Sequence, residues 1–92
     1  MQATAEVQVI PIGVGVSVRR EVQRAHGILE GSGLQVELHG NGTNLEGELA
    51  EIFDAIREVH ETLHAEGTVR IASFIKIGTR TDKTPSLAGK LF

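Results

Sequence analysis

The sequence predicts an α+β domain of the ferredoxin-like class, a βαββαβ sandwich with a four-stranded antiparallel sheet and two helices on one face. Three observations carry this. Two stretches with helical spacing alternate with four short apolar runs in the order strand, helix, strand, strand, helix, strand. That order uses nearly all of the 92 residues, enough for one core and one domain. Gly40-Asn41-Gly42 separates the second and third runs and reads as a tight hairpin, because Asn-Gly tolerates positive φ. A sheet with both helices on one face leaves its other face without cover, so apolar residues there must meet a ligand or a partner.

The first strand is expected over residues 5–12. Val7 and Val9 alternate with Glu6 and Gln8, Ile10 and Ile12 make the second side apolar, and Pro11 suits a strand end. Gly13-Val14-Gly15 forms a turn, and Ser17 is placed to cap the first helix, which runs to Glu30 with Val18, Val22, Ala25 and Leu29 on one face. Gly31 and Gly33 stop it. The second strand spans residues 34–39, with Leu34, Val36 and Leu38 on one side and Gln35, Glu37 and His39 on the other. The third is expected to be short, residues 43–46. The second helix starts at Gly47 or Glu48, with Glu48 and Glu51 in its first turn, where the dipole favours negative charge. Leu49, Ile52, Phe53, Ile56, Val59 and Leu63 make its buried stripe, and Gly67 ends it. The fourth strand, residues 69–77, is apolar on both sides, which predicts cover on both.

The helices repeat at an offset of 34: Val18, Val22, His26, Leu29 and Gly33 match Ile52, Ile56, His60, Leu63 and Gly67. This fits two related halves, and it equally fits two amphipathic helices with the same spacing. Residues 1–78 form the domain and residues 79–92 a C-terminal tail. The tail's Leu87, Leu91 and Phe92 read as an arm that docks on a neighbouring subunit, or as a frayed end.

Composition excludes several functions. There is no cysteine, so neither disulfides nor thiolate chemistry are available. No apolar run approaches a membrane span, and the first residues carry no basic leader, so the expected compartment is the cytoplasm and no membrane partner is expected. Net charge is −3 and only Phe53, Phe74 and Phe92 are aromatic, whereas RNA-binding domains of this strand order stack bases on strand aromatics beside basic residues. Nucleic acid is not the expected partner.

Two segments resemble enzymatic motifs. His60-Glu61-Thr62-Leu63-His64 matches H-E-x-x-H, the zinc helix of metalloproteases, and continues to Gly67. A third ligand would fall at Arg70, a cation, and helical geometry turns His60 toward the core. No metal site is therefore assigned: His60 faces inward, His64 lies at the border and Gly67 caps the helix. The loop Gly13-Val14-Gly15 with Arg19 loosely resembles the phosphate cradle of the small acylphosphatases, which share this fold, and a helix N-terminus favours an anion. No Asn stands where those enzymes position water, and a tight turn explains the glycines. No catalytic residue is assigned.

Val9-Ile10-Pro11-Ile12-Gly13, Gly42-Thr43-Asn44-Leu45-Glu46-Gly47-Glu48, Val59-His60-Glu61 and Ile75-Lys76-Ile77 with Arg80 and Asp82, in this order and spacing, resemble the small YkoF-like thiamine-binding family. The resemblance covers residues 5–84. It departs in two loops: Val14 stands where Thr is common, the stretch after Gly13 is shorter, and Gly40-Asn41 replaces Pro-Met before Gly-Thr. It implies a ferredoxin-like fold, homo-oligomers built as dimers of dimers, and binding of thiamine or its hydroxymethylpyrimidine moiety without chemistry on it and without a cofactor. Thiamine asks for hydrogen-bond partners for its aminopyrimidine, an apolar or aromatic surface for its rings, and carboxylates near its thiazolium cation. The candidates are Ser17, Glu37, His39, Thr43, Glu46, Ser73 and Phe74. Each also has a structural reading: Ser17 as a cap, Thr43 as a hairpin residue, Glu46 as a charge before the helix, Glu37 and Lys76 as solvated or interface groups, Phe74 as subunit packing. The alternative function is a regulatory or structural oligomeric module of the same fold, with another ligand or none.

Overall fold

The computed structural model describes residues 1–90. Its elements are β1 (Gln2–Ile12), α1 (Arg19–Glu30), β2 (Gln35–His39), β3 (Gly42–Glu48), α2 (Leu49–Ala65) and β4 (Arg70–Gly78), followed by a single turn of 3₁₀ helix at Ala88–Lys90. The four strands make one antiparallel sheet in the order β2-β3-β1-β4, the ferredoxin-like arrangement.

Side chains alternate across each strand. Ala3, Ala5 and Val7 of β1, with Leu45 of β3, point to the helices and are buried. The two alanines are small enough to let the helices sit close. Against them pack Ala25, Ile28 and Leu29 of α1 and Ile52, Ala55, Ile56, Val59 and Leu63 of α2, with Leu34 closing the end. The internal repeat survives as structure. Leu29 and Leu63 are matched core residues, and Gly33 (φ 88°) and Gly67 (φ 107°) each turn the chain after a helix at a left-handed φ that only glycine adopts cheaply.

Several expectations are corrected. β1 begins at Gln2 because β3 pairs with it as far as Gln2↔Glu48. For the same reason β3 continues to Glu48, and α2 starts at Leu49 rather than at Gly47 or Glu48. The N-terminal ammonium pairs with Glu48 at that junction. Ser17 does not cap α1: the N-cap position is Val18, with no side-chain cap. The hairpin loop is Gly40-Asn41, closed by the pair His39↔Gly42, and neither loop residue has positive φ. Phe53 lies outside the buried stripe and is 51% exposed, since it sits one position from Ile52 and about 100° around the helix. Within a single chain, the cover expected on both faces of the fourth strand is incomplete, so the rest would have to come from outside the chain. Phe74 is 66% exposed on the open side, and Ile75 and Ile77 are more than one-third exposed on the helix side.

The tail folds back over the open side of its own sheet. The Leu87 N–H donates to Glu46 Oε1 at 2.7 Å, and Leu87 and Lys90 lie against Thr4, whose side chain is buried although it points away from the helices. The expected docking arm included Leu91 and Phe92, which lie outside the described residues.

Candidate functional site

The site originates in a mismatch of strand lengths. β1 pairs with β4 from Thr4 through Ile12, but its pairing with β3 stops at Val7↔Thr43, where the β2–β3 hairpin turns back. Among the described residues, residues 8–12 of β1 therefore have one backbone edge without a strand partner, Pro11 offering a carbonyl there but no N–H. A groove of about 350 Å³ occupies this notch. Its walls are the hairpin tip, the free edge of β1, and the start of α1 with Val18 and Val22, while Val9, Pro11 and Leu38 add apolar surface. Glycines at 13 and 15, both at left-handed φ (81° and 99°), bring the chain from β1 round to α1 and so set Val18 over the groove.

His39 holds the rim. Its Nδ1 accepts the Asn41 N–H at 3.2 Å, which leaves the proton on Nε2 and directs it to Glu6 Oε2 at 3.1 Å. The second Glu6 oxygen is 4.0 Å from Lys76 Nζ. Register places Glu37, Asn44, Glu6 and Lys76 in one row across the open face, from β2 to β4. The next row toward the notch contains Gln8 and Phe74, which are paired across β1 and β4. The open face thus offers a carboxylate, a neutral imidazole and an exposed phenyl ring beside an apolar groove.

The structure separates the residues singled out from the sequence. His39 and Thr43 line the notch, His39 at its rim and Thr43 at its buried helix side. Glu37 and Phe74 stand on the open face beside it. Glu46 is on that face too, but its carboxylate holds the tail through Leu87. Ser73 points the other way, toward the helices, where its hydroxyl meets His60 Nε2 at 2.7 Å. Ser17 is exposed in the loop before α1. The sequence reading passed over Glu6, Gln8 and Asn44. A signal existed for Glu6 and Asn44: both are polar residues at strand positions that point away from the core.

The H-E-x-x-H segment has structural work for both imidazoles. His60 bonds Ser73, and His64 donates from Nδ1 to the Thr68 carbonyl at 2.7 Å, tying the end of α2 to the turn before β4. Among the described residues no three groups of metal-ligating type converge. No helix among them is long and apolar enough to cross a membrane.

Apart from the notch, a second groove lies between α1 and the end of α2. There Arg24 spans Glu66 with its Nε 3.1 Å from both carboxylate oxygens and its Nη2 at 3.0 Å from one. This hydrogen bonding raises the Arg24 pKa and holds the Glu66 carboxyl below its ordinary range. The pair is exposed and bridges the two helices.

Known proteins are similar to this chain in sequence and in fold. A UPF0045 protein of Synechocystis is 40% identical over 91 residues, covering 99% of this chain and 75% of that protein. A solved structure from Methanocaldococcus jannaschii is 39% identical and superposes with a TM-score of 0.90, covering 98% of this chain and 92% of its own. A Thermotoga maritima structure, whose name ties it provisionally to thiamine biosynthesis or salvage, superposes at 0.88 with 21% identity, covering 99% and 96% of the two chains, and so shares the fold. Over residues 5–92 the chain matches the family described as thiamine-binding proteins, and it belongs to that family.

Proposed function

We propose that the protein is a non-catalytic binder of thiamine or its hydroxymethylpyrimidine moiety, with the pyrimidine ring held in the notch beside β1. The observation that carries this reading is the free edge of residues 8–12 lying between apolar walls. A strand edge presents alternating N–H and C=O groups, and an aminopyrimidine presents a ring nitrogen acceptor beside an amine donor. Apolar walls with a few placed polar groups are the usual make-up of a small-molecule site. The thiazolium cation then falls toward Glu6, whose carboxylate is oriented by His39. Val18 supports the reading from the side of stability. An apolar residue at an N-cap forgoes about 1 kcal/mol that Ser or Asp would contribute, and here it lines the groove instead. The family's description supports the ligand class.

The test is calorimetric titration with thiamine and with hydroxymethylpyrimidine. Saturable binding of both is expected. Glu6→Gln should weaken thiamine about tenfold and hydroxymethylpyrimidine little, because only thiamine carries the cation. Absence of binding by both compounds overturns the reading.

Self-association is part of the proposal. β4 has a free edge and exposed apolar residues on both sides (Phe74, Ile75 and Ile77), the surface on which a second copy of the chain gains most. A homo-oligomer, assembled as a dimer of dimers, is the expected state, and sedimentation equilibrium checks it. The expected setting is the cytoplasm.

A further inference from the structure

We propose that the preferred ligand is a phosphate ester of thiamine, with its phosphate between Lys76 and Lys90. This rests on the reading that the pyrimidine occupies the notch. It adds an anion site that the notch itself does not contain.

A separate cavity of about 410 Å³ lies on the open face, where the tail crosses the sheet, and Lys76 and Lys90 both line it. Lys90, although exposed, lays its side chain along the sheet. A side chain added at Gly78 would meet its Nζ at 3.4 Å and Thr4 Oγ1 at 3.6 Å, so the glycine leaves the seat that the ammonium takes. Among the described residues no carboxylate lies within ion-pair distance of Lys90, and Lys76 reaches Glu6 only at 4.0 Å. Thr4 and Asn44 add polar side chains to the same cavity. The Leu87–Glu46 bond holds the turn that carries Lys90 in place.

The order of chemistry along β1 gives the cavity its meaning. From the notch toward the tail come Gln8, just past the last rung with β3, the carboxylate of Glu6, and then Thr4 beneath Lys90. A thiamine phosphate presents the same sequence of partners: a hydrogen-bonding ring, a cation, and an anion at the end of a two-carbon arm. The four residue steps from Thr4 to Gln8 span about 13 Å, the scale of such a molecule laid out straight. Phosphorylated hydroxymethylpyrimidine is too short to reach both ends.

Titrating the full-length protein with thiamine, thiamine monophosphate, hydroxymethylpyrimidine and inorganic phosphate tests this. The monophosphate should bind about tenfold tighter than thiamine at low salt, the preference shrinking as salt screens the exposed lysines. In the Lys76→Gln/Lys90→Gln double variant the ratio between the two ligands should fall to near one. Equal affinities in the unmodified protein overturn the inference and leave thiamine binding standing. A preference that survives in the double variant overturns the assignment to these lysines. Inorganic phosphate binding as tightly as the monophosphate also overturns it, since the cations would then hold a free anion. No heat with thiamine or hydroxymethylpyrimidine sinks the underlying reading, and this inference with it.

Discussion

Gly42 begins β3 at the point where the notch starts, and replacing it with alanine tests whether the hairpin is held as tightly to β1 as the structure shows. An added Cβ would stand 2.9 Å from the carbonyl oxygen of Val7 and 3.5 Å from His39 Cε1. An ordinary carbon–oxygen approach is about 3.3 Å or more, so β1 and β3 must separate by a few tenths of an ångström at their last paired rung. Both sides of the clash are backbone, so no rotamer change relieves it. Overpacking of this kind costs about 1–3 kcal/mol, and about 2 kcal/mol shifts the melting temperature of a domain this size by roughly 8–16 °C. The assay is urea and thermal unfolding at one fixed protein concentration, since self-association would otherwise shift the midpoint. Gly40→Ala is the control. It lies two residues away in the same hairpin, has no atom within 4 Å of the added carbon and, unlike Gly42 (φ 157°, where alanine also meets backbone strain), no positive φ, and should change stability by less than about 0.5 kcal/mol. If Gly42→Ala melts with the wild type, or if both variants lose the same stability, the close approach of hairpin to strand is wrong and the notch loses its wall.

Further outcomes follow from other contacts. Leu45→Ala removes a fully buried side chain between sheet and helices and should cost about 2–5 kcal/mol in urea unfolding. Arg24→Gln should raise the Glu66 pKa toward its ordinary 4.5, read by NMR titration of its carboxyl group. Because the folded pKa is depressed, the pair's small contribution is present above the unfolded value and is lost as pH falls through the folded one. Glu46→Gln should loosen the tail and speed proteolysis near Leu87, because a neutral amide is a weaker acceptor for its N–H. Zinc added to the metal-free protein should not remain through gel filtration; one zinc per chain would contradict the hydrogen-bonding roles of His60 and His64.

What could be read from the sequence was whatever depends on local periodicity. The helix stripes ending at Leu29 and Leu63, the glycines that follow them and the strand order all follow from spacing within a few residues. The errors lie where distant segments decide. β1 starts early because residues 2–4 pair with the end of β3. Nothing local in Gln2-Ala3-Thr4 announces a strand, and Ala3 is core only because helices close over it. Gly40-Asn41-Gly42 marks the hairpin through the tolerance of Asn-Gly for positive φ, but the register His39↔Gly42 makes Gly40-Asn41 the loop, and Asn41 has no positive φ. Ser73 and Phe74 are both candidates by residue type, but neighbours on a strand face opposite sides, and only Phe74 reaches the open one. The notch itself has no local signature, because it is the difference between the lengths of two strand pairings.

The carboxylates show how the structure reorders a candidate set. Glu37, Glu46 and Glu6 all project from the open face, and any of them suits a thiazolium cation by charge alone. Glu46 is engaged by the tail, so recruiting it for a ligand would cost the bond that holds Leu87. Glu37 is exposed at the edge strand β2, where water screens its charge. Glu6 lies in a central strand, with one oxygen fixed by His39 and the other only loosely approached by Lys76. A charge aimed in advance loses little on binding, which is where a placed polar group gains over a mobile one. His39 matters for the same reason: its two nitrogens join the hairpin tip to Glu6, so the wall of the groove and the charge beside it are held as one unit.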